Sequence, residues 1–184
     1  MAAKRASKND PERRQRIVDA TLDVIAEHGV ANTTHRRIAA KANVPLGSVT
    51  YYSSSLQALM TTAFLQLATQ ASEAFKARLE KAADRREAVE AVIDIIADSV
   101  WAEPRTLLLS YELYAFAARQ PPVTAVMQQW MNSSRVALGR FFDPLTARAL
   151  DALIEGVGIH NSIDAAPLSR EAIRVVVERV AGTS

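Results

Sequence analysis

Two stretches hold the residue types that could do recognition chemistry: Thr34-His35-Arg36-Arg37, and Leu46-Gly47-Ser48-Val49-Thr50-Tyr51-Tyr52. Arginine can read a guanine edge with two parallel hydrogen bonds, so Arg36 is expected nearest a base, with His35 and Arg37 extending the contacts. Hydroxyls and phenols donate to phosphate oxygens, which assigns backbone contacts to Thr34, Tyr51 and Tyr52 and base-edge contacts to Ser48 and Leu46. Catalysis has less to work with. The chain has no cysteine, hence no thiolate nucleophile, thiolate metal site or disulfide, and its three histidines are His28, His35 and His160. Glu155 and His160 stand five apart, off the spacing that sets a Glu and a His on one helical face for a metal, and neither HExxH nor a Gly-rich phosphate loop occurs. No metal or other cofactor is expected, and the chain is not read as an enzyme.

The elements that must position these residues follow from periodicity and punctuation. The composition is 49% hydrophobic and 23% charged and rich in helix formers, and no strand pattern or repeat competes, so the chain is read as all-α with about nine helices. Asn9 or Asp10 before Pro11 starts a helix over 11–28, with Ile17, Ala20, Val24 and Ile25 inward and Gly29 as its stop. Thr33 or Thr34 caps a two-turn helix with Ile38, Ala39 and Ala42 inward; Asn43 tolerates the left-handed backbone that a tight turn needs; Leu46 to Tyr52 forms the next helix. Two short helices joined by a tight turn and packed on a first are the layout of a helix-turn-helix, whose second helix enters the DNA major groove. Ser54 and Gln57 have capping-box spacing for a long fourth helix reaching about Leu79. Five further helices are expected, the fifth ended by Ala102 before Glu103-Pro104, the seventh running to Phe141, and the last capped by Ser169 and stopped by Gly182. The expected domains are a basic flexible arm over 1–10, a helix-turn-helix over 11–57, and a larger helical body over 58–184.

Charge is distributed unevenly. The net +2 divides into +4 over residues 1–62 and −2 over the rest, and Lys4, Arg5, Lys8, Arg13, Arg14 and Arg16 near the N-terminus suit phosphate contacts. No run approaches the length of a membrane span and no signal core opens the chain, so a cytoplasmic protein is expected. The rival readings are a helical-bundle enzyme or sensor without operator binding, and an architectural DNA-binding protein. The second leaves about 120 residues of apolar helix without a task.

The run from Arg14-Gln15-Arg16-Ile17 through Gly29, Thr34, Ile38-Ala39, Val44, Leu46-Gly47-Ser48-Val49 to Tyr51-Tyr52 and Ala58-Leu59 resembles the DNA-binding domain of the tetracycline-repressor (TetR) family. That resemblance implies a homodimeric transcriptional repressor on double-stranded, pseudo-palindromic operator DNA, released by a small-molecule effector. It implies that Thr34 caps its helix against a phosphate, that Tyr51 and Tyr52 clamp the backbone, and that Ser48 faces the groove. The chain departs from the family pattern at Ser53-Ser54-Ser55-Leu56, where members often have Phe-Pro-Ser-Lys, and at Asn43, where a glycine is usual.

A ligand-released repressor needs a second site. Aromatics and methionines line ligand cavities as well as cores, which makes Trp101, Tyr111, Tyr114, Met127, Trp130 and Met131 the candidates, with His160 able to orient a polar group. The last two helices carry apolar faces exceeding what one small subunit covers, at Leu150, Leu153, Ile154 and Val157 and at Ile173, Val176, Val177 and Val180. The resemblance places the four-helix bundle of a dimer there.

Overall fold

The computed structural model describes residues 11–97 and 103–182; the basic arm with Asn9 and Asp10, the expected helix end at Ala102, and Trp101 lie outside the described residues. Among them are nine α-helices and no strand, which is the all-α architecture expected. The chain divides into compact units over 1–66 and 67–184.

In the N-terminal unit α1 (Pro11–His28) ends at Gly29, whose φ of 76° and ψ of 162° lie where only glycine sits without strain. A 3-10 turn, Val30–Asn32, follows. The Thr34 hydroxyl caps α2 (His35–Lys41) by accepting from the Arg37 N–H at 3.2 Å. Asn43 then takes φ 51°, the one non-glycine residue at positive φ among the described residues. The Asn43 and Val44 N–H groups donate to the Ala40 and Ala39 carbonyls, closing α2 and launching α3 (Leu46–Tyr52). The cap of α4 (Leu56–Leu79) is Ser55, which accepts from the Ala58 N–H at 3.2 Å, and not Ser54 paired with Gln57. The reason is local: extended Ser53 donates its hydroxyl to the Ser55 carbonyl, so the chain turns one residue later than the spacing suggests. Ile17, Ala20 and Val24 of α1, Ile38 and Ala39 of α2, Val49 of α3 and Leu59 of α4 form this unit's core. Leu56, a departure from the family pattern, packs against it.

The C-terminal unit continues α4 and adds α5 (Arg85–Ala97), α6 (Pro104–Ala117), α7 (Pro121–Leu138), α8 (Pro144–Asn161) and α9 (Arg170–Ala181). Proline in the first turn opens α6, α7 and α8, where its missing N–H is no loss. α7 stops at Leu138, short of Phe141, which lies in the turn to α8. The core joins Val89, Val92, Ile93 and Ile96 of α5 to Leu138, Leu150, Ile154, Ile173 and Val177. α9 is tied to α5 by Arg174 on Glu90, with a second bond at 2.7 Å, by Arg170 on Asp94, and by Arg85 on the Ala181 carbonyl. The hydrogen bonds from Arg174 hold the Glu90 carboxyl below the usual range.

The sites expected for dimerisation change on this geometry. Leu150, Ile154, Val157, Ile173 and Val177 are buried in the subunit's own core, so they have no surface left for a partner; Leu153 and Val180 are half-buried against that core, and Val176 is half-buried. α8 instead turns outward Leu145, 77% exposed, with Ala149 and Ala152, and half-buried Gly156 and Ile159 continue the same alternating four- and three-residue spacing. A Cβ at Gly156 would meet open space. Half-buried Ala172 and exposed Val175 repeat the pattern on α9. The boundary expected at 57/58 also shifts, to 66/67 inside α4. The first turns of α4 serve the N-terminal unit: Leu59 fills its core, and the Gln66 amide donates to Asp19 of α1 at 2.8 Å.

Candidate functional site

Helical phase sorts the recognition residues. On α3, Val49 is fully buried, which turns Leu46, Gly47, Thr50 and Tyr51 outward and leaves Ser48 half-buried. Tyr51 is 72% exposed, and its hydroxyl has no partner among the described residues. Thr50, missed from the sequence, shares this face, although its hydroxyl donates weakly to the Leu46 and Gly47 carbonyls. On α2, exposed Thr34 keeps its own O–H free to donate while it caps, and exposed Arg36 has no partner among the described residues. The other three candidates are held by the fold. His35 meets the Ser53 carbonyl through Nε2 at 3.2 Å, Arg37 donates to the Asn32 carbonyl at 2.5 Å, and the Tyr52 hydroxyl accepts from Arg14 Nε at 2.6 Å. The Arg14 guanidinium also stacks 5.1 Å over the Tyr52 ring, joining the start of α1 to the end of α3. The result is a charged and hydroxylic rim around an exposed helix, suited to phosphate and base-edge contacts.

The C-terminal unit contains a cavity of about 370 Å³. Its walls are Leu67, Gln70, Ala71, Ala74, Phe75 and Arg78 of α4, Ile95 of α5, Arg105, Thr106, Ser110 and Tyr114 of α6, Trp130, Met131 and Ser134 of α7, and Asp151, Ile154 and Glu155 of α8. Three expected ligand residues, Tyr114, Trp130 and Met131, line it. Three do not: Met127 is buried away from it, Tyr111 bonds its hydroxyl to Ser162 at 3.3 Å, and His160 is exposed.

The two carboxylates were not foreseen as cavity groups, although Asp151 and Glu155 stand one turn apart on an otherwise apolar stretch of α8, a visible signal. Burial raises both carboxyl pKa values. Asp151 is compensated: Arg135 Nε donates to it at 2.9 Å, and the Arg135 charge and the nearby Ser134 hydroxyl oppose the rise. Glu155 has no arginine bonded to it: the Asp151 charge raises its pKa further while the Tyr114 hydroxyl and the Arg135 charge oppose the rise, and the Tyr114 phenol is itself pushed up by burial and by this carboxylate. Among the described residues no group of three metal-ligating side chains exists, and no helix is long and apolar enough to cross a membrane.

Comparison with known proteins places this geometry. Residues 17–61 match the profile of bacterial regulatory proteins of the tetR family, and residues 83–183 match the tetracyclin repressor-like C-terminal domain. A protein from Streptomyces coelicolor A3(2), described as a transcriptional regulator, is 44% identical with a TM-score of 0.85, covering 93% of this chain and 99% of its own. The multidrug binding protein EbrR, solved with ethidium, is 32% identical with a TM-score of 0.75 over 92% of this chain and 98% of its own. The HTH-type transcriptional regulator BetI of Agrobacterium fabrum is 28% identical over 92% of this chain and 86% of its own. The helix-turn-helix and the helical body are thus the two halves of one known arrangement, and the chain belongs to the tetR family of bacterial regulatory proteins as a DNA-binding transcriptional regulator and not an enzyme.

Proposed function

We propose that the chain is a repressor that binds a pseudo-palindromic operator as a two-fold dimer and leaves it when a small molecule fills the cavity of the C-terminal unit. The carrying observation is α4. Its first turns are bound into the helix-turn-helix, and from Leu67 onward its residues wall the cavity. At the changeover, Gln15 and Gln66 donate to the same Asp19 oxygen, each at 2.8 Å, and Gln15 also donates to Gln66, so a shift of α4 is passed to α1. A ligand with different affinity for two positions of α4 changes the population competent for DNA by that difference.

On the DNA side, α3 enters the major groove with Leu46 and Ser48 at base edges, Arg36 reaches a guanine, and Thr34 and Tyr51 donate to phosphates. Tyr52 is held by Arg14 and contacts DNA as one half of that pair. The dimer pairs through the Leu145, Ala149, Ala152, Gly156 and Ile159 stripe of α8 with Val175 of α9, whose small residues allow close helix approach. Two-fold pairing sets half-sites one DNA turn, ~34 Å, or its multiples apart.

The test is selection of bound genomic DNA by the purified protein, repeated with Tyr51→Ala and Arg36→Ala. A two-fold motif that weakens evenly across sequences in Tyr51→Ala and relaxes at one position in Arg36→Ala is the expected outcome. Salt-sensitive binding without a shared motif would reject operator recognition.

A further inference from the structure

We infer that the effector is a lipophilic organic monocation, its apolar body against Phe75, Trp130 and Met131 and its positive charge against the Glu155 carboxylate. This rests on the reading of the cavity as the effector site and adds its chemistry.

Glu155 carries a charge that the chain compensates only in part. Removing a carboxylate from water is expensive unless a cation or several donors replace the lost hydration, so buried carboxylates are normally paired. The i,i+4 pair on α8 shows both situations within one turn. Asp151 has Arg135 and Ser134. Glu155 has the Tyr114 phenol and no ion pair of its own among the described residues; the Arg135 charge reaches it, but Arg135 is bonded to Asp151, whose negative charge also stands beside Glu155. Arg78 and Arg105 also line the cavity, and each already has an interaction within the structure. The cavity therefore has an apolar, aromatic wall and one carboxylate, Glu155, that shares the Arg135 charge with Asp151 and has no ion pair of its own among the described residues.

A cation completes that arrangement, and its class is narrowed by the wall. The faces of Tyr114 and Trp130 attract positive charge, while Phe75, Met131 and Ile154 give a small hydrated ion nothing in exchange for its water. A charge spread over, or shielded by, an apolar frame loses less hydration on entry and gains the burial. EbrR, 32–35% identical to this chain, has been solved with ethidium, malachite green and proflavin, all cations of this description.

The test uses probes that share shape and differ in charge. Binding of tetraphenylphosphonium, tetraphenylborate and uncharged triphenylphosphine oxide to the full-length protein is measured by calorimetry, and their effect on operator binding by fluorescence anisotropy of labelled DNA. These probes do not intercalate, so loss of anisotropy reports the protein. The expected result is that tetraphenylphosphonium binds and releases operator while tetraphenylborate does neither. Glu155→Gln weakens the cation by about tenfold, the scale of one charge-assisted contact, and leaves the phosphine oxide within about twofold. In the unaltered protein, cation affinity rises with pH as Glu155 ionises, with Asp151, Arg135 and Tyr114 as the charged and titratable groups facing it, and phosphine oxide affinity stays flat. Equal binding of the two tetraphenyl ions, or a Glu155→Gln protein that holds the cation unchanged, overturns the cation assignment and leaves the cavity reading standing. Binding of none of the three overturns both.

Discussion

At the scale of single residues, side chains facing away from every neighbour had their exposure visible in the sequence, and those held by distant partners did not. Tyr51 and Leu46 follow from the helical phase that buries Val49. His35 and Tyr52 do not, because their partners Ser53 and Arg14 lie 18 and 38 residues away and only the fold brings them together. Gly47 gives a direct test of the groove-facing surface. It sits inside α3, where glycine is less stable than alanine, and a Cβ there would meet open space. Gly47→Ala should raise stability by about 0.5–1 kcal/mol in thermal unfolding, and a simultaneous loss of operator affinity shows that DNA requires the bare backbone. Glu155 gives the opposite trade. Its raised carboxyl pKa means that folding favours the protonated form, so its contribution is complete below the usual glutamate range and is lost as pH rises through the raised value. Unliganded Glu155→Gln protein should therefore melt above the parent at neutral pH, with the difference closing on acidification. A variant that melts no higher at pH 7 refutes the account.

Elements were legible where their ends carry punctuation. Gly29, Pro104, Pro121, Pro144, Ser169 and Gly182 each mark a boundary that the backbone observes. Replacing Ser169 by Ala should cost about 1 kcal/mol, since its hydroxyl accepts from the Ala172 N–H at the head of α9. The turn between α2 and α3 depends on Asn43 at φ 51°. Asn43→Val should destabilise by about 1–2 kcal/mol in urea unfolding, and Asn43→Gly should cost little, because the penalty comes from a Cβ meeting the next carbonyl. The ionic attachment of α9 to α5 was not readable, since Arg174 and Glu90 lie 84 residues apart and charged residues on amphipathic helices look alike before packing is known. The same blindness applies to the apolar faces of α8 and α9, where Leu150, Ile154, Val157, Ile173 and Val177 are buried by their own subunit: periodicity reveals that a stripe is buried, not whether its own subunit or a second copy buries it.

For the whole molecule, the dimer prediction follows from the corrected surface. Ala152 is exposed on α8, so Ala152→Glu should leave the monomer folded, shift sedimentation to half the mass, and abolish cooperative operator binding; a variant that remains dimeric shows the stripe to be solvent-facing. The salt dependence of operator binding should be steep, with the slope reduced by about one on loss of each phosphate-contacting cation. A small module and a larger body were expected from the short helices around a tight turn followed by longer helices, while the seam inside α4 was not, because a continuous helix carries no mark where its neighbours change. That seam bears on how the protein can evolve. Six residues of α4 wall the cavity, and the same helix reaches the reading head, so changes at Leu67, Ala71 or Phe75 act on two tasks at once. Trp130, Met131 and Glu155 belong to α7 and α8 and are free of that double duty. Lineages acquiring new inducers should accumulate substitutions on the α7–α8 wall, and randomised libraries should show the same bias: altered inducers from that wall, and repressors locked on or off from α4.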